Sequence, residues 1–519
     1  MTNPLSDALL QQAGVSKDPV QVAFALLDQG NGQAAVQMLE DLVRQFPNRP
    51  EPWFGLGQVR TRLGDLRAAA KAYKRVIQAA PDASDGYVHL GNTYLRIDRV
   101  SQAIEVYRNG LVHQPGDALL NFNLGVGLRQ AGDIDGAIAQ FQKAIALHAN
   151  YAQAYFSLGN ACRDKKMAAE AVAAYRQATT IEPRFADAFV NLSGVLAEQQ
   201  DYAEAMAACH RALALAPEHL HALRNLSLCL YRTGRFDEGA EVTVRALKSW
   251  PDEVMLHYTM GEMLYGLVRE GKADTARGLA QWWRQTYPDN ATAQHMAAAV
   301  LGEQPPERAG DDYVRETFDR FAGQFEEVLA GLGYQVPERL CAMALEAMPD
   351  RRDLAILDAG CGTGLCAPYL KPVARRLVGV DLSGGMLAKA QARGLYDDLQ
   401  QAELGAFLTG TPDRYNLAVA ADVFCYFGAL DAAFAALAGK TATGGLLGFT
   451  VEAMPGAGSV PGPAEGYRLG PTGRYQHDAA YVRAALQQAG YSVVRWDDTQ
   501  GREEMGQPVP CFMVLARRD

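Results

Sequence analysis

No uninterrupted apolar run of about 18 residues occurs anywhere in this 519-residue chain, so no helical membrane span is expected. Excess positive charge is missing too. A formal net charge of −10 and a sequence pI near 5.5 argue against nucleic-acid binding by bulk electrostatics. The first residues, MTNPLSDALLQQAG, have neither a basic start nor an apolar core, and no secretory signal is expected. The eight cysteines (162, 209, 229, 341, 361, 366, 425 and 511) are scattered, which is thiol usage of a reducing compartment and points to the cytoplasm. Cys361 and Cys366 have no second Cys or His pair beside them, so no metal site is expected. Histidine is scarce: beyond residue 311 there is only His477. What remains, 49% hydrophobic and 21% charged residues, is ordinary globular composition in a chain too long for one core.

The first three hundred residues are periodic. Prolines at 47, 81, 115, 183, 217 and 251 keep a 34-residue phase. Leu56-Gly57, Leu90-Gly91, Leu124-Gly125 and Leu158-Gly159 recur at the same interval, continued by Leu192-Ser193 and Leu226-Ser227. Ala35, Ala69, Ala103, Ala137, Ala171 and Ala205 mark the second half of each unit, with Tyr73, Tyr107, Phe141 and Tyr175 four residues on. This resembles the tetratricopeptide repeat, in which small residues stand where two helices cross and a proline closes the unit. An eighth unit ends at Pro288, three residues late, with the insertion expected around Leu267–Gly271. Thr292–Leu301 reads as a capping helix, and Gly302–Gly310 has no apolar period. The expected division is a solenoid over 16–302, a linker over 303–310 and a second domain over 311–519.

Repeats of this kind bury their apolar faces only against neighbours and form a curved array with an inner groove. The resemblance places the first helix of each unit along that groove. Asn92, Asn123, Asn160, Asn191 and Asn225 then become peptide-groove candidates, because an amide offers a donor and an acceptor to an extended backbone. The row resembles, in part, the asparagine ladder of O-linked N-acetylglucosamine transferases. A protein or peptide partner follows as an expectation.

Residues 354–381 carry the chemistry. The apolar run Leu354–Leu357 ends in Asp358, and the turn Gly360-Cys361-Gly362-Thr363-Gly364 follows. A helix-compatible stretch then leads to a second apolar run, Leu377–Val380, ending in Asp381. Strand, glycine loop, helix, strand and acid make the first half of a nucleotide-binding sheet. The spacing is G-x-G-x-G with no Arg or Lys in the turn, so it does not suit a pyrophosphate as G-x-G-x-x-G does. It resembles the first two cofactor motifs of class I S-adenosylmethionine-dependent methyltransferases. That cofactor carries a sulfonium and an ammonium and no phosphate, which acids suit.

The resemblance covers 311–519 and implies an α/β Rossmann-like domain binding S-adenosyl-L-methionine. The implied cofactor-binding residues are Asp358, Gly360, Cys361, Gly362, Gly364, Asp381, Leu382, Met386, Glu403, Leu404 and Asp422. Leu382 and Met386 would lie against the adenine, Glu403 at its amino group from the end of a third strand over Leu399–Leu404, and Asp422 beside the transferred methyl; Tyr491–Trp496 and Cys511–Ala516 read as the closing strand pair. A leading amphipathic helix over Asp311–Leu332 contains Phe318-Asp319-Arg320-Phe321-Ala322-Gly323-Gln324-Phe325-Glu326, similar to a segment that closes over the cofactor in such enzymes. The catalytic residue is unassigned. The insertion Gly470–His477 supplies Arg474 and Tyr475 to orient an anionic acceptor, and His477 as a base, with a helix cap and β-turn as the bland alternative.

The whole reads as two domains: an all-α solenoid of about eight helical hairpins, then an α/β methyltransferase domain to which the solenoid recruits a protein or peptide. Two alternatives stand beside it. The acceptor is small and the repeats serve assembly or localisation, or the chain is a scaffold whose α/β domain binds cofactor without turnover.

Overall fold

A computed structural model describes residues 18–303, 305–348, 352–454, 466–504 and 507–519. The opening residues read for a signal, residues 16 and 17 of the expected solenoid and Gln304 of the expected linker lie outside them. The chain forms two compact units, one running to Thr233 and one from Gly234 to Asp519.

The first unit is built of helix pairs: Pro19–Asp28 with Gly32–Gln45, Pro50–Arg62 with Leu66–Ala79, Ser84–Arg96 with Val100–His113, Ala118–Gln130 with Ile134–Leu147, Ala152–Asp164 with Ala168–Ile181, and Ala186–Glu198 with Tyr202–Leu215. Leu220–Arg232 ends the unit. The pairs form because each turn is punctuated. Asp65, Asp133 and Asp201 cap the second helix of their units with side-chain bonds to Ala68, Gly136 and Glu204 nitrogens. One residue before each cap the chain passes through positive φ, at Gly30, Gly64, Asp98, Gly132, Lys166 and Gln200. Glycine suits that conformation; Lys166 at φ 60° and Gln200 at φ 64° adopt it against their preference.

Packing inside a pair explains the repeated glycine. A Cβ on Gly91 would lie 2.2 Å from Tyr107, and one on Gly57, Gly125 or Gly159 would lie 2.5, 2.7 or 2.6 Å from Tyr73, Phe141 or Tyr175. Where the glycine gives way to Ser193, the aromatic position is occupied by the smaller Cys209. The two positions exchange volume, as close packing requires.

The second unit opens with Phe236–Ser249, followed by Val254–Arg269 paired with Ala273–Thr286 and by Ala291–Leu301. Seven helix pairs are thus described within the two units, six in the first and one in the second. The extra three residues lengthen one helix: Val254–Arg269 has 16 residues where Leu220–Arg232 has 13. Ala291–Leu301 does not present the polar outer face of a solenoid cap. It buries Thr292, His295, Met296 and Ala299, and His295 stacks on Tyr313 of the helix Asp311–Phe321 at 4.1 Å. The stretch read as a linker is bonded to the domain that follows. Glu307 oxygen accepts from Gly428 and Ala429 nitrogens, and Ala309 nitrogen donates to Tyr426 oxygen, each at 2.8 Å.

The sheet contains β1 (Leu354–Ala359), β2 (Ala374–Asp381), β3 (Asp398–Gln401), β4 (Tyr415–Ala420), β5 (Thr441–Ala453), β6 (Tyr467–Leu469), β7 (Tyr475–His477), β8 (Tyr491–Glu504) and β9 (Gln507–Arg518). Its order is β3-β2-β1-β4-β5-β7-β6, and β9 pairs antiparallel with both β5 and β8. β1 to β5 are parallel neighbours, and every residue of β1 is buried, because helices cover both faces. One face packs on Val336, Leu340 and Leu370, the other on Leu408, Phe434 and Leu486. Connections leave β1 and β4 in opposite directions, which opens a crevice at the carboxyl ends of these strands.

Three expectations are corrected. The leading segment is not one helix but two, Asp311–Phe321 and Phe325–Gly331, interrupted at 322–324. The third strand stops at Gln401, before Glu403. The closing pair β8–β9 runs well past Trp496, because cross-strand pairing continues from Tyr491 to Glu504 across two register shifts.

Candidate active site

The crevice holds a cavity. At one end lies the glycine turn. Gly360 (φ 66°) is required by packing, since a Cβ there would stand 2.4 Å from Val423. Gly362 (φ 55°) has nothing within 4 Å of an added Cβ, so its bare backbone faces open space. The turn is anchored by Cys361 nitrogen donating to Val380 oxygen at 3.0 Å and Gly362 nitrogen donating to Asp381 Oδ2 at 2.9 Å.

Three acids surround this end. Asp381 Oδ1 accepts from Ser383 nitrogen at 2.9 Å; burial raises its carboxyl pKa while these backbone bonds pull it back down. Asp358 is almost fully buried, accepts from the Tyr396 hydroxyl at 2.6 Å and is pushed up to about 7, first by burial and then by the neighbouring Asp381. Glu403 caps the helix Leu404–Gly410 by accepting from Ala406 nitrogen at 2.7 Å, and it lines the cavity from beyond the end of β3.

The opposite end is built differently. Asp422 follows β4 at φ 57°, an uncommon conformation for a non-glycine residue, held by its nitrogen donating to Thr450 Oγ1 at 2.9 Å. Arg502, delivered by the long β8–β9 hairpin, meets Glu452 of β5 at 2.6 Å and Asp422 at 3.5 Å. Arg474 approaches the same Glu452 at 3.6 Å and lies 5.6 Å from the Tyr426 ring centre. Asp422, Arg474 and Arg502 line the cavity.

The two leading helices form its cover. Phe318 and Phe325 line the cavity, 6.1 Å apart edge to face. Asp319 Oδ1 accepts from Ser383 Oγ at 2.5 Å and from Gly385 nitrogen at 2.9 Å. Arg393 joins the second helix to the turn, donating to Glu326 at 2.6 Å and to Thr363 oxygen at 2.7 Å.

Comparison with known families agrees with this geometry. Residues 332–495 match a family model described as a methyltransferase domain, and residues 23–84, 87–119, 128–165, 152–185 and 196–255 match tetratricopeptide repeat models. The chain is a fusion of tetratricopeptide repeats with a methyltransferase domain. Methyltransferase-like protein 27 of Homo sapiens is 42% identical over 90 residues, 17% of this chain and 37% of that protein. Malonyl-[acyl-carrier protein] O-methyltransferase of Pectobacterium atrosepticum is 33% identical over 113 residues, 22% of this chain and 40% of that protein. The chain thus spans about two fifths of the length of these curated relatives. Among solved structures, magnesium protoporphyrin IX methyltransferase from Synechocystis with bound SAH is 19% identical, covering 40% of this chain and 100% of that one, with a TM-score of 0.32.

Within the methyltransferase domain, Asp358, Gly360, Cys361, Gly362, Asp381, Leu382, Glu403, Leu404 and Asp422 line the cavity. Gly364 and Met386 lie outside its lining. An added Cβ on Gly364 would face Tyr396 and Arg393, and Met386 is fully buried in the helix Gly384–Arg393. Of the three catalytic candidates only Arg474 reaches the cavity. His477 is fully buried in β7, its Nε2 donates to Gly428 oxygen at 3.1 Å, its ring stacks on Tyr481, and burial lowers its pKa to about 4. Tyr475 is equally buried and donates to Pro306 oxygen at 2.8 Å. Both are core residues of the insertion. Arg502, Glu452 and Tyr396 were not anticipated; residues 497–504 are all polar or glycine, so no alternation past Trp496 marks Arg502.

In the repeat unit, the asparagine row turns inward to its own neighbours. The Tyr107 hydroxyl donates to Asn92 Oδ1 at 2.6 Å, and the Tyr175 hydroxyl to Asn160 Oδ1 at 2.7 Å. Asn191 donates to the same Asn160 oxygen at 2.8 Å, Asn123 to Leu119 oxygen at 2.8 Å, and Asn225 to Ser193 Oγ at 2.9 Å. A buried hydroxyl needs an acceptor, and the asparagine fifteen residues earlier supplies it. Where Phe141 has no hydroxyl, the corresponding position is Val126.

Proposed function

We propose that the methyltransferase domain uses S-adenosyl-L-methionine as methyl donor and that the repeats bring a protein or peptide partner to it in the cytoplasm. The observation that carries the reading is the acidic, phosphate-averse end of the cavity: Asp358, Asp381 and Glu403 around a turn without Lys or Arg. When bound, this cofactor supplies a methyl group on positively charged sulfur that departs as a neutral thioether.

The residues present fit that group. A carboxylate has roughly four acceptor sites, so Asp381 retains capacity for ribose hydroxyls beyond its bonds to Gly362 and Ser383. Asp358 supplies negative charge toward a cation, while Leu382 and Leu404 give apolar surface beside Glu403 for a base. Gly362 leaves bare main chain toward open space, where a side chain would stand in the way of approach. Phe318 and Phe325 exclude water, held down by Asp319 and Arg393. Titration calorimetry with the methyl donor and with its demethylated product tests the reading. A folded sample that ignores both yet binds NADH or ATP would overturn it.

A small acceptor, with the repeats serving assembly, is favoured by a different observation: the cavity is walled by Val314, Phe318, Phe325 and Leu329, and the asparagine row is engaged inside the solenoid. Radiolabelled donor in a cell extract separates the two readings, since label enters protein in one case and small molecules in the other.

A further inference from the structure

We propose that Tyr258, on the last repeat pair, is a positioning residue for the methyl-donor cavity: through Arg320 it seats the helix that carries Phe318 over the cavity, so the end of the repeat array sets how tightly the donor is held. This rests on the methyl-donor reading of that cavity. The contact lies inside one compact unit, which runs from Gly234 to Asp519. The stretch Phe318–Phe321, the last turn of the helix Asp311–Phe321, has three separate attachments. Phe318 lines the cavity, and Asp319 accepts from Ser383 and Gly385. Arg320 and Phe321 meet Tyr258 of the helix Val254–Arg269.

That third attachment is aromatic. The Arg320 guanidinium lies 4.1 Å from the Tyr258 ring centre and 4.9 Å from that of Phe321, and the two rings stand edge to face at 5.5 Å. Arg320 Nε and Nη2 are sealed from solvent with no hydrogen-bond partner. Burial disfavours the charge of this guanidinium, and the nearby Glu262 and Glu316 favour it. Ring faces hold the cation where hydrogen bonds do not.

Tyr258 and Arg320 therefore act on the cover with opposite sign. The Tyr258 ring attracts the cation and keeps the helix seated, with Phe318 over the donor. The unpaired nitrogens cost free energy that water restores when the helix lifts, so they favour lifting. A neutral stem in place of Arg320 removes that cost and keeps the packing on the ring, as when a buried ion gives way to an apolar side chain. A plain structural brace behaves otherwise, because loss of either member loosens the helix.

The experiment uses the full chain and the demethylated donor, with calorimetry for affinity, stopped-flow displacement for dissociation and hydrogen exchange of residues 311–321 in the free protein. Tyr258→Leu is expected to weaken binding by about fivefold and to speed exchange of those amides. Tyr258→Phe keeps the ring and is expected to stay within about twofold of the parent chain on both. Arg320→Met is expected to slow dissociation by about threefold. Unchanged binding in Tyr258→Leu, an equal loss in Tyr258→Phe and Tyr258→Leu, or unchanged or faster dissociation from Arg320→Met overturns the proposal. A parent chain that does not bind the demethylated donor overturns the underlying reading instead.

Discussion

His295 Nε2 donates to the carbonyl oxygen of Gly473 at 2.8 Å, joining the helix after the last repeat to the turn that carries Arg474. A carbonyl only accepts, so the proton resides on Nε2, and burial holds the ring neutral against the pull of that bond. Gly473 sits so close to the helix that a Cβ would stand 2.5 Å from Met296 sulfur and 2.9 Å from the Tyr313 hydroxyl. On the far side of the same turn, Arg474 reaches the cavity.

This contact helps place the last repeat helices in one compact unit with the methyltransferase domain. A fragment beginning at Gly234 is expected to unfold cooperatively at a clearly higher temperature than one beginning at residue 303. His295→Leu, which strands the Gly473 carbonyl, is expected to cost about 1–3 kcal/mol in urea unfolding of the full chain. Equal stability of the two fragments would remove the structural role assigned to these helices.

The positive-φ turns offer a gain in stability. Lys166 and Gln200 adopt the conformation that Gly30, Gly64 and Gly132 adopt at equivalent positions. Lys166→Gly and Gln200→Gly are each expected to stabilise by about 1 kcal/mol, read as a rise in Tm. A fall in Tm for both would contradict the backbone assignment.

The opposite holds at the helix crossings. Gly91→Ala places a methyl group 2.2 Å from the Tyr107 ring. Overpacking there is expected to cost about 1–3 kcal/mol, and Tyr107→Leu in the same chain is expected to recover part of it.

Asp358 links donor binding to pH. Its carboxyl titrates near 7 in the free protein, and a cation bound beside it favours the ionised form. Binding of the methyl donor is therefore expected to release a proton near pH 7 and to weaken below it, by up to about tenfold per pH unit. Calorimetry in buffers of different ionisation enthalpy measures the proton, and Asp358→Asn is expected to abolish it.

His477 links stability to pH. Its folded pKa of about 4 lies below the ordinary 6.5, so the unfolded chain takes a proton that the folded one refuses. Its contribution is present above 6.5 and is lost as pH falls toward 4, about 2 kcal/mol of it by pH 5. Asp358 runs the other way, because its folded carboxyl protonates below about 7 and its unfolded one only near 3.8. Urea unfolding at pH 7 and pH 5 is therefore best compared between Asp358→Asn and Asp358→Asn/His477→Gln. The single variant should lose more stability on acidification.

The features legible in the sequence were those carried by local rules. The 34-residue phase, the proline stops and the glycine turn between two acids all reflect backbone geometry within a few residues of each position. Glu403 was found but placed at a strand end, whereas it caps a helix after a shorter strand. The asparagine row was visible, yet its partners were not: whether an amide faces a ligand or a tyrosine hydroxyl depends on the helix packed across from it. His477 stood out by scarcity, and scarcity says nothing of burial.

The sequence alone determined that this chain is repetitive helical pairs followed by a doubly wound sheet with an acidic glycine turn, because period, propensity and turn chemistry act over short range. Only the tertiary structure decided that Arg502 and Glu452 meet beside Asp422, that Arg474 reaches the cavity while His477 does not, and that the helix after the last repeat holds the Arg474 turn. Those relations join residues up to 178 positions apart. Burial and Coulomb energy act between groups that the fold brings together, and spacing along the chain does not record which groups those are.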